Sequence, residues 1–390
     1  MKKKAQILIF TRYYLPAKKA GGPVVSIENI IESLHQQFNF YVITGDRDAN
    51  DRAAFTEITY STWNTVGKAK VMYISLNKFS FLKIFTIMRN TSYDLVYLNS
   101  FWDPLFTTLP LLFRRLGLTP SRKMLLAPRG EFSAGAFRLK ILKKKCFIFF
   151  SRFFRLHKNV HWHVSNSFEA RDLSNILGEA KMVHIAENIP TRLTKNISDY
   201  HPRSKHSPLR ICFLSRICQK KNLHFAISTL KEIKKPVTFT VFGPIEDEIY
   251  WKQCVEQSRQ FPTNVEFLYG GTVQPGKSVS IISKSDLFFL PTLGENYGHV
   301  IIESLSSGTP VLISDQTPWR HLEESGVGWD LSLDHVNSFL SVINSMTLES
   351  LTTTLKRRKR CRKFALSVLR SQKTLADNVN MFRSVISSKF

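Results

Sequence analysis

The chain has 390 residues, 43% of them hydrophobic, which is enough for two domains with buried cores and excludes a disordered chain. Fifty-five Lys and Arg against 30 Asp and Glu give a formal charge of +25; the excess favours an anionic partner such as nucleic acid, a phospholipid surface or a phosphorylated ligand, without choosing among them. Cys146, Cys212, Cys218, Cys254 and Cys361 form no CxxC pair and have no metal-like spacing to a histidine, so no metal site is expected and a reducing compartment fits best.

The start, "MKKKAQILIF", is basic, but its apolar run is too short for a signal peptide, and Gln6 to Phe10 predicts a first strand. Further strand-like runs follow at "FYVIT", "VMYIS", "DLVYL" and "KMLLA", and a second series comprises "RICFLS", "VTFTVFG", "NVEFLY", "SDLFFLP" and "TPVLIS". Runs this apolar, separated by helix-length segments, predict parallel strands covered on both faces. Both halves therefore read as doubly wound, Rossmann-like α/β domains. Polar, proline-bearing "TRLTKNISDYHPRSKHSP", Thr191 to Pro208, is the linker candidate. The expected division is 1–195, 196–370 and a terminal helical segment 371–390. Ligands of such sheets sit at the carboxyl ends of the strands, so a site is expected where two such sheets face across a cleft. No stretch approaches the roughly 20 apolar residues of a spanning helix, and any membrane contact is expected to be peripheral.

In "FLSRICQKKNL", Arg216 stands just past a strand and Lys221 lies five residues on, where a helix should begin. Both cations can reach one phosphorylated ligand, Arg through a fork of donors and Lys as a mobile point charge. Two solvated surface cations are the competing reading. In "LPTLGENYGHVIIESLSSGTPVLIS" a strand ends at Pro291, a loop with Gly294 and Gly298 follows, and a helix is predicted from His299. The N–H groups of Tyr297, Gly298 and His299 are then placed to donate at the helix start. Glu295 and Glu303 can accept from ligand hydroxyls, a set that suits a sugar nucleotide. Alternatively Glu295 caps the helix and Glu303 pairs with a buried Arg.

This segment resembles the signature of retaining GT-B glycosyltransferases of family 4: an E-x7-E pair with aromatic-Gly after the first Glu and a Gly-x-Pro-Val ending. The Arg and Lys five apart resemble the same family's phosphate clamp. "YYLPAKKAGGPVVSIENI" is similar to its N-terminal glycine loop, with Gly21 and Gly22 before a helix, and "APRGEFSAGAFRLK" resembles a segment of bacterial polysaccharide members. The resemblance implies sugar transfer from a nucleotide diphosphate donor, a UDP- or GDP-sugar, with no further cofactor. By carry-over Glu303 holds the ribose hydroxyls, Glu295 holds those of the donor sugar, and Arg216 with Lys221 stabilises the diphosphate. Asn222 stands where a glycine commonly follows the clamp lysine, and Ser304 replaces a usual alanine. Many members carry a histidine near the reacting centre where this chain has "PRGE", which makes Arg129 and Glu131 the candidates for its place.

"FRLKILKKKCFIFFSRFFRLHK", Phe137 to Lys158, mixes cations with aromatics as a basic amphipathic helix does. It suits an anionic membrane surface, or else a helix packed on its own sheet with a solvated basic edge. "LKRRKRCRKF", Leu355 to Phe364, is a second cluster facing either the same surface or solvent. The expected function is a glycosyltransferase of cell-surface polysaccharide or lipopolysaccharide synthesis. Its acceptor would be a glycan or lipid-linked glycan, and its place the cytoplasm, peripheral at the inner face of the cytoplasmic membrane. The alternatives are a sugar-nucleotide hydrolase or epimerase on the same fold and a nucleic-acid-binding protein. For the last there is no zinc-finger spacing or RNP-type run, and the acid pair is hostile to phosphates.

Overall fold

The computed structural model describes residues 4–388 except 18, 50, 78, 134–136, 138–140, 179, 192–199, 205–206 and 275. The chain divides into two compact units, Met1–Pro190 with Gln372–Phe390, and Thr191–Ser371.

In unit 1 the strands are β1 (Ala5–Phe10), β2 (Phe38–Gly45), β3 (Asn64–Val66), β4 (Ala69–Ile74), β5 (Leu95–Asn99), β6 (Lys123–Ala127), β7 (Val160–Val164) and β8 (Val183–Ile185). The helices between them are α1 (Gly22–Leu34), α2 (Ser80–Asn90), α3 (Leu109–Arg115), α4 (Ile141–Phe153) and α5 (Ser167–Leu177). The sheet order is β3-β4-β2-β1-β5-β6-β7-β8, with β3 and β4 the antiparallel pair. Side chains alternate across β1, so Ile7 and Ile9 enter one core with Ile27 and Ile31 of α1. Leu8 and Phe10 enter the other, with Ile84 of α2 and Leu173 of α5. Helices on both faces are the reason that β5, β6 and β7 are buried at every position.

Unit 2 has β9 (Leu209–Leu214), β10 (Val237–Phe242), β11 (Val265–Tyr269), β12 (Leu287–Leu290), β13 (Val311–Ser314) and β14 (Gly328–Leu331). Its helices are α6 (Leu223–Leu230), α7 (Glu248–Ser258), α8 (Ser278–Ile282), α9 (His299–Ser307), α10 (Val336–Thr347) and α11 (Leu351–Leu369). The strands are parallel in the order β11-β10-β9-β12-β13-β14. Chain order reverses between β9 and β12, the topological switch point at which open α/β sheets receive ligands. The last helix, α12 (Gln372–Ser387), belongs to unit 1. Its Phe382 lies 5.4 Å from the ring of Phe38 and 5.7 Å from that of Tyr97.

Two segments depart from their sequence reading. Residues 192–199 and 205–206 of the linker candidate lie outside the described residues, but Tyr200 donates to Asp286 at 2.6 Å and Arg203 to the carbonyl of Met346 at 2.7 Å. That end of the segment is part of unit 2 rather than a free tether. The cluster 355–364 lies in α11 and faces neither lipid nor solvent as a whole. Lys356, Lys359, Arg360 and Lys363 are exposed, whereas Arg357 pairs with Glu349 at 2.6 Å and lies over the Trp329 ring.

Arg358 is 3% exposed. It donates to the carbonyls of Ser283 at 2.8 Å, Ser285 at 3.0 Å and Ser307 at 3.4 Å, and stacks on Tyr200. These carbonyls close α8 and α9, where the helix dipole is negative and partners are lacking. Burial lowers the guanidinium pKa to about 10, so it stays charged at neutral pH. Arg358→Ala strands those carbonyls and should lower the unfolding free energy by about 3 kcal/mol. Lys359→Ala, beside it on the exposed face, should stay within about 0.5 kcal/mol of wild type in the same urea titration.

Candidate functional site in unit 2

The loops that leave β9 and β12 meet at the switch point. After β9 the chain makes a 3₁₀ turn, Gln219–Lys221, and enters α6 through Asn222 at φ 57. That left-handed backbone favours glycine, and among other residues Asn tolerates it best, which accounts for Asn222 at this position. The carbonyl of Lys220 accepts from the Leu293 N–H at 2.9 Å and the Thr292 hydroxyl at 3.1 Å. The two loops are therefore joined by backbone before any side-chain charge is considered.

Lys221 pairs with Glu295, and both side chains are 12% exposed. Burial pushes the Glu295 pKa up, but the charges of Lys221 and then Lys220 outweigh it and hold the carboxyl below its usual value. Lys220 itself is lowered by burial and partly restored by Glu295. Arg216 pairs with Glu246 of the β10–α7 loop, both groups about two-fifths exposed. That loop reaches Arg216 because Gly243, at φ 132, lies against the carbonyl of Ser215; a Cβ there would sit 1.8 Å from the oxygen.

Gly298 caps α9 in a left-handed conformation, φ 77, with no side-chain cap. A Cβ on Gly298 would stand 2.7 Å from Cδ1 of Ile301. Glu295 does not cap this helix: its N–H donates to the Gln316 carbonyl at 2.9 Å and its carboxylate turns to Lys221. Tyr297 packs between His299 at 4.9 Å and Trp319 at 5.4 Å, and the Trp319 indole donates to the Tyr297 carbonyl. Ile301, Ile302 and Leu305 bury one face of α9, leaving Glu303 half-buried on another. Burial raises the Glu303 pKa, offset in part by the Ser278 hydroxyl. No ion pair to Glu303 is found among the described residues.

Arg129 and Glu131 lie in unit 1, after β6. Arg129 donates through Nε to Asn99 at 2.8 Å, through Nη2 to the Tyr97 hydroxyl at 2.7 Å, and through Nη1 to Asn188. The chain continues to His163, whose Nδ1 lies 2.7 Å from Tyr97 Oη and whose Nε2 faces the Ala186 carbonyl at 2.9 Å. Nε2 therefore carries the proton, and Tyr97 donates to Nδ1. Burial drives the His163 pKa to about 3 and that of Tyr97 up to about 12, so neither ionises near neutrality.

Glu131 accepts from Ser100 Oγ and the Phe101 N–H, each at 2.6 Å, and from the Trp102 N–H at 3.3 Å. A second acid, Glu169, takes the Gly130 N–H at 2.6 Å, with the Ser165 N–H at 2.7 Å and hydroxyl at 2.8 Å. As placed, Arg129 and Glu131 hold the loops around the carboxyl ends of β5 and β6 rather than stand free for a substrate. At the β1/β5 switch point of the same unit, Arg12 pairs with Asp103 at 3.3 Å. Gly21, at φ 68, precedes α1, which begins at Gly22 with a proline in its first turn. Lys220, Glu246, Thr292 and Trp319 escaped the sequence reading because their roles arise only from contacts between distant loops. No cluster of three or more His, Cys, Asp or Glu with metal-binding geometry occurs among the described residues.

Residues 197–366, a segment within unit 2, match the family described as Glycosyl transferases group 1. An uncharacterized 41.2 kDa protein in the cps region of Klebsiella pneumoniae is 20% identical over 373 residues, 93% of this chain and 97% of its own. Among solved structures, Anabaena Alr3699/HepE in complex with UDP-glucose aligns with a TM-score of 0.69 at 15% identity, over 98% of this chain and all of that one. The lipopolysaccharide outer core galactosyltransferase WaaB, in its apo form, gives 0.62 at 15% identity, over 99% and 100%. At these identities the likeness establishes the fold: two parallel-sheet Rossmann-like domains with GT-B glycosyltransferases as structural neighbours.

The Lys221–Glu295 pair carries a pH signature. Glu295 has a folded pKa below its unfolded value, so its stabilisation is present above the unfolded carboxylate pKa and disappears as pH falls through the lowered folded one. Glu295→Gln should cost about 3 kcal/mol at pH 7 by leaving two half-sequestered lysines without their counter-ion. The difference from wild type should shrink as urea titrations are moved down through the carboxylate range. A gap independent of pH would contradict the assignment.

Proposed function

We propose that the protein is a glycosyltransferase that moves a sugar from a nucleotide diphosphate donor, with retention of configuration, to a glycan or lipid-linked glycan in cell-surface polysaccharide synthesis. The observation that carries the reading is the pairing of Lys221 with Glu295, within reach of the Arg216 charge, where the loops after β9 and β12 meet at the switch point, inside the segment matched to Glycosyl transferases group 1. A UDP-sugar donor is supported by the UDP-glucose bound in Alr3699/HepE, and a polysaccharide setting by WaaB and the cps-region relative.

In this reading Lys221 exchanges Glu295 for the donor diphosphate, and Arg216 exchanges Glu246. Each cation then faces the oxygens on which negative charge grows as the nucleoside diphosphate departs. Glu295, released, accepts from hydroxyls of the sugar, while Glu303 accepts from the ribose. The uncapped N-terminus of α9 adds backbone N–H groups toward the phosphates. The bond from the anomeric carbon to the phosphate oxygen breaks, the bond to the acceptor oxygen forms on the same face, and the acceptor's proton passes to the leaving diphosphate. That route needs no protein base, in keeping with Arg129 and Glu131 acting as positioning groups.

Thermal shift against UDP-, GDP- and ADP-sugars should single out one base, because a ligand of the folded state alone raises the midpoint. The anomeric configuration of the product then tests retention; an inverted product, or hydrolysis unaffected by acceptor, overturns the reading. Lys221→Ala and Arg216→Ala should each lower turnover about 10²-fold, and the double variant should lose less than the product of the two. Glu303 gives a further test. Ribose hydroxyls favour its ionised form, so nucleotide binding should lower a raised pKa and release protons at mildly acidic pH. Calorimetry in buffers of different ionisation enthalpy should detect that release in wild type and lose it in Glu303→Gln.

A further inference from the structure

At the C-terminal end of α4 lies a pocket of about 460 Å³, lined in part by Arg152, Arg155, Lys158 and Lys181 together with Trp162 and Met182. Among the described residues no Asp or Glu lines it, and none of these four cations has a carboxylate partner. Other cations of the chain, Arg12, Arg210, Arg216, Lys221 and Arg357 among them, sit against acids. The turn that bears Arg155 and Lys158 is braced from outside. Arg114 donates to the carbonyls of Lys158 and Asn159, and Arg115 to that of Phe154 at 3.2 Å. Arg152 donates to the Ile176 carbonyl at 2.9 Å, tying α4 to the end of α5.

Beside the pocket α4 turns an aromatic row to the outside. Phe149, Phe150, Phe153 and Phe154 are 66%, 57%, 72% and 55% exposed, and Leu142 is 77% exposed. Their neighbours Phe147 and Ile148 face the core, so the exposed row is a face of its own and not frayed packing. Aromatic side chains flanked by cations, with no acid among them, match the boundary of an anionic bilayer. A protein partner of matching chemistry would have to set exposed apolar surface beside carboxylates. Lys143, Lys144 and Lys145 lie on the same helix; Lys140 lies outside the described residues. No described helix is long and apolar enough to cross a membrane, so such contact is superficial.

We propose that this pocket takes the phosphate of an anionic phospholipid head group while the Phe row of α4 enters the acyl boundary, docking unit 1 on a membrane. The inference deepens the function proposed above, for it would bring the enzyme to a lipid-linked acceptor, and it rests on unit 1 residues, none of which belongs to the unit 2 site. It is tested by sedimentation of the full chain with vesicles of phosphatidylcholine, alone or mixed with phosphatidylglycerol, at low salt. Wild type should follow the anionic vesicles and not the neutral ones.

Each cation near such a surface contributes roughly fivefold to partition, so Arg155→Gln/Lys158→Gln/Lys181→Gln should lose about 100-fold. Phe149→Ser/Phe153→Ser should also detach the protein. Lys356→Gln/Lys359→Gln/Lys363→Gln, which removes the same charge from the exposed face of α11, should still bind. Equal loss in that control would mean diffuse charge attraction and overturn the pocket. Indifference of wild type to anionic vesicles, or a thermal shift with inorganic phosphate without vesicle binding, would overturn the lipid assignment. Nucleotide binding measured without vesicles reports on the unit 2 site alone, so failure of one reading is distinguishable from failure of the other.

Discussion

The carbonyl of Lys220 accepts from the backbone of Leu293 and the hydroxyl of Thr292, and the geometry of the unit 2 site follows from that junction. It joins two loops separated by some seventy residues of sequence, at the point where the strand order reverses. With the loops joined, Lys221 and Glu295 have little room to avoid one another, and their pairing offsets the burial of both. A buried charge is tolerable only with a partner. Here each is the other's partner; in the function proposed above, a donor with a diphosphate at one end and hydroxyls at the other substitutes for both at once.

Most of the inward-turned cations of this basic chain answer particular local deficits. Arg358 answers the unpaired carbonyls at the ends of α8 and α9, and so helps to fix the helix that carries Glu303. Arg357 answers Glu349, and Arg210 answers Asp286. At the end of α4, Arg155, Lys158 and Lys181 have no acid partner among the described residues, and they occur beside exposed aromatics. Net charge alone does not distinguish these cases; what distinguishes them is whether each side chain has an acceptor within hydrogen-bond reach.

Unit 1 arranges its buried polar groups differently. Its β5 and β6 loops are held by Glu131 and Glu169, each accepting three hydrogen bonds, and by the neutral relay from Arg129 through Tyr97 to His163. Fully satisfied networks of this kind rigidify the loops they join. The loop after β6 is built around a guanidinium and two carboxylates that turn inward to hydrogen-bond partners.

The parallel strands were legible in the sequence because their burial on both faces demands unbroken apolar runs, and β1, β6 and β10 fall where "QILIF", "KMLLA" and "VTFTVF" stand. Short β3 and β14 were not legible: three or four residues, one set including Gly328 and Asp330, carry no periodicity. The start of α9 at His299 and the place of Glu303 on it could likewise be read, since helix starts follow local glycine and loop chemistry. Local sequence could not tell that Glu295 turns to Lys221 instead of capping that helix, that Arg358 goes inside while Lys359 stays out, or that Glu131 is taken up by the Ser100 hydroxyl and the Phe101 and Trp102 N–H groups. Each of those outcomes depends on which donors and acceptors distant segments bring within about 3 Å, and only the tertiary structure decides that.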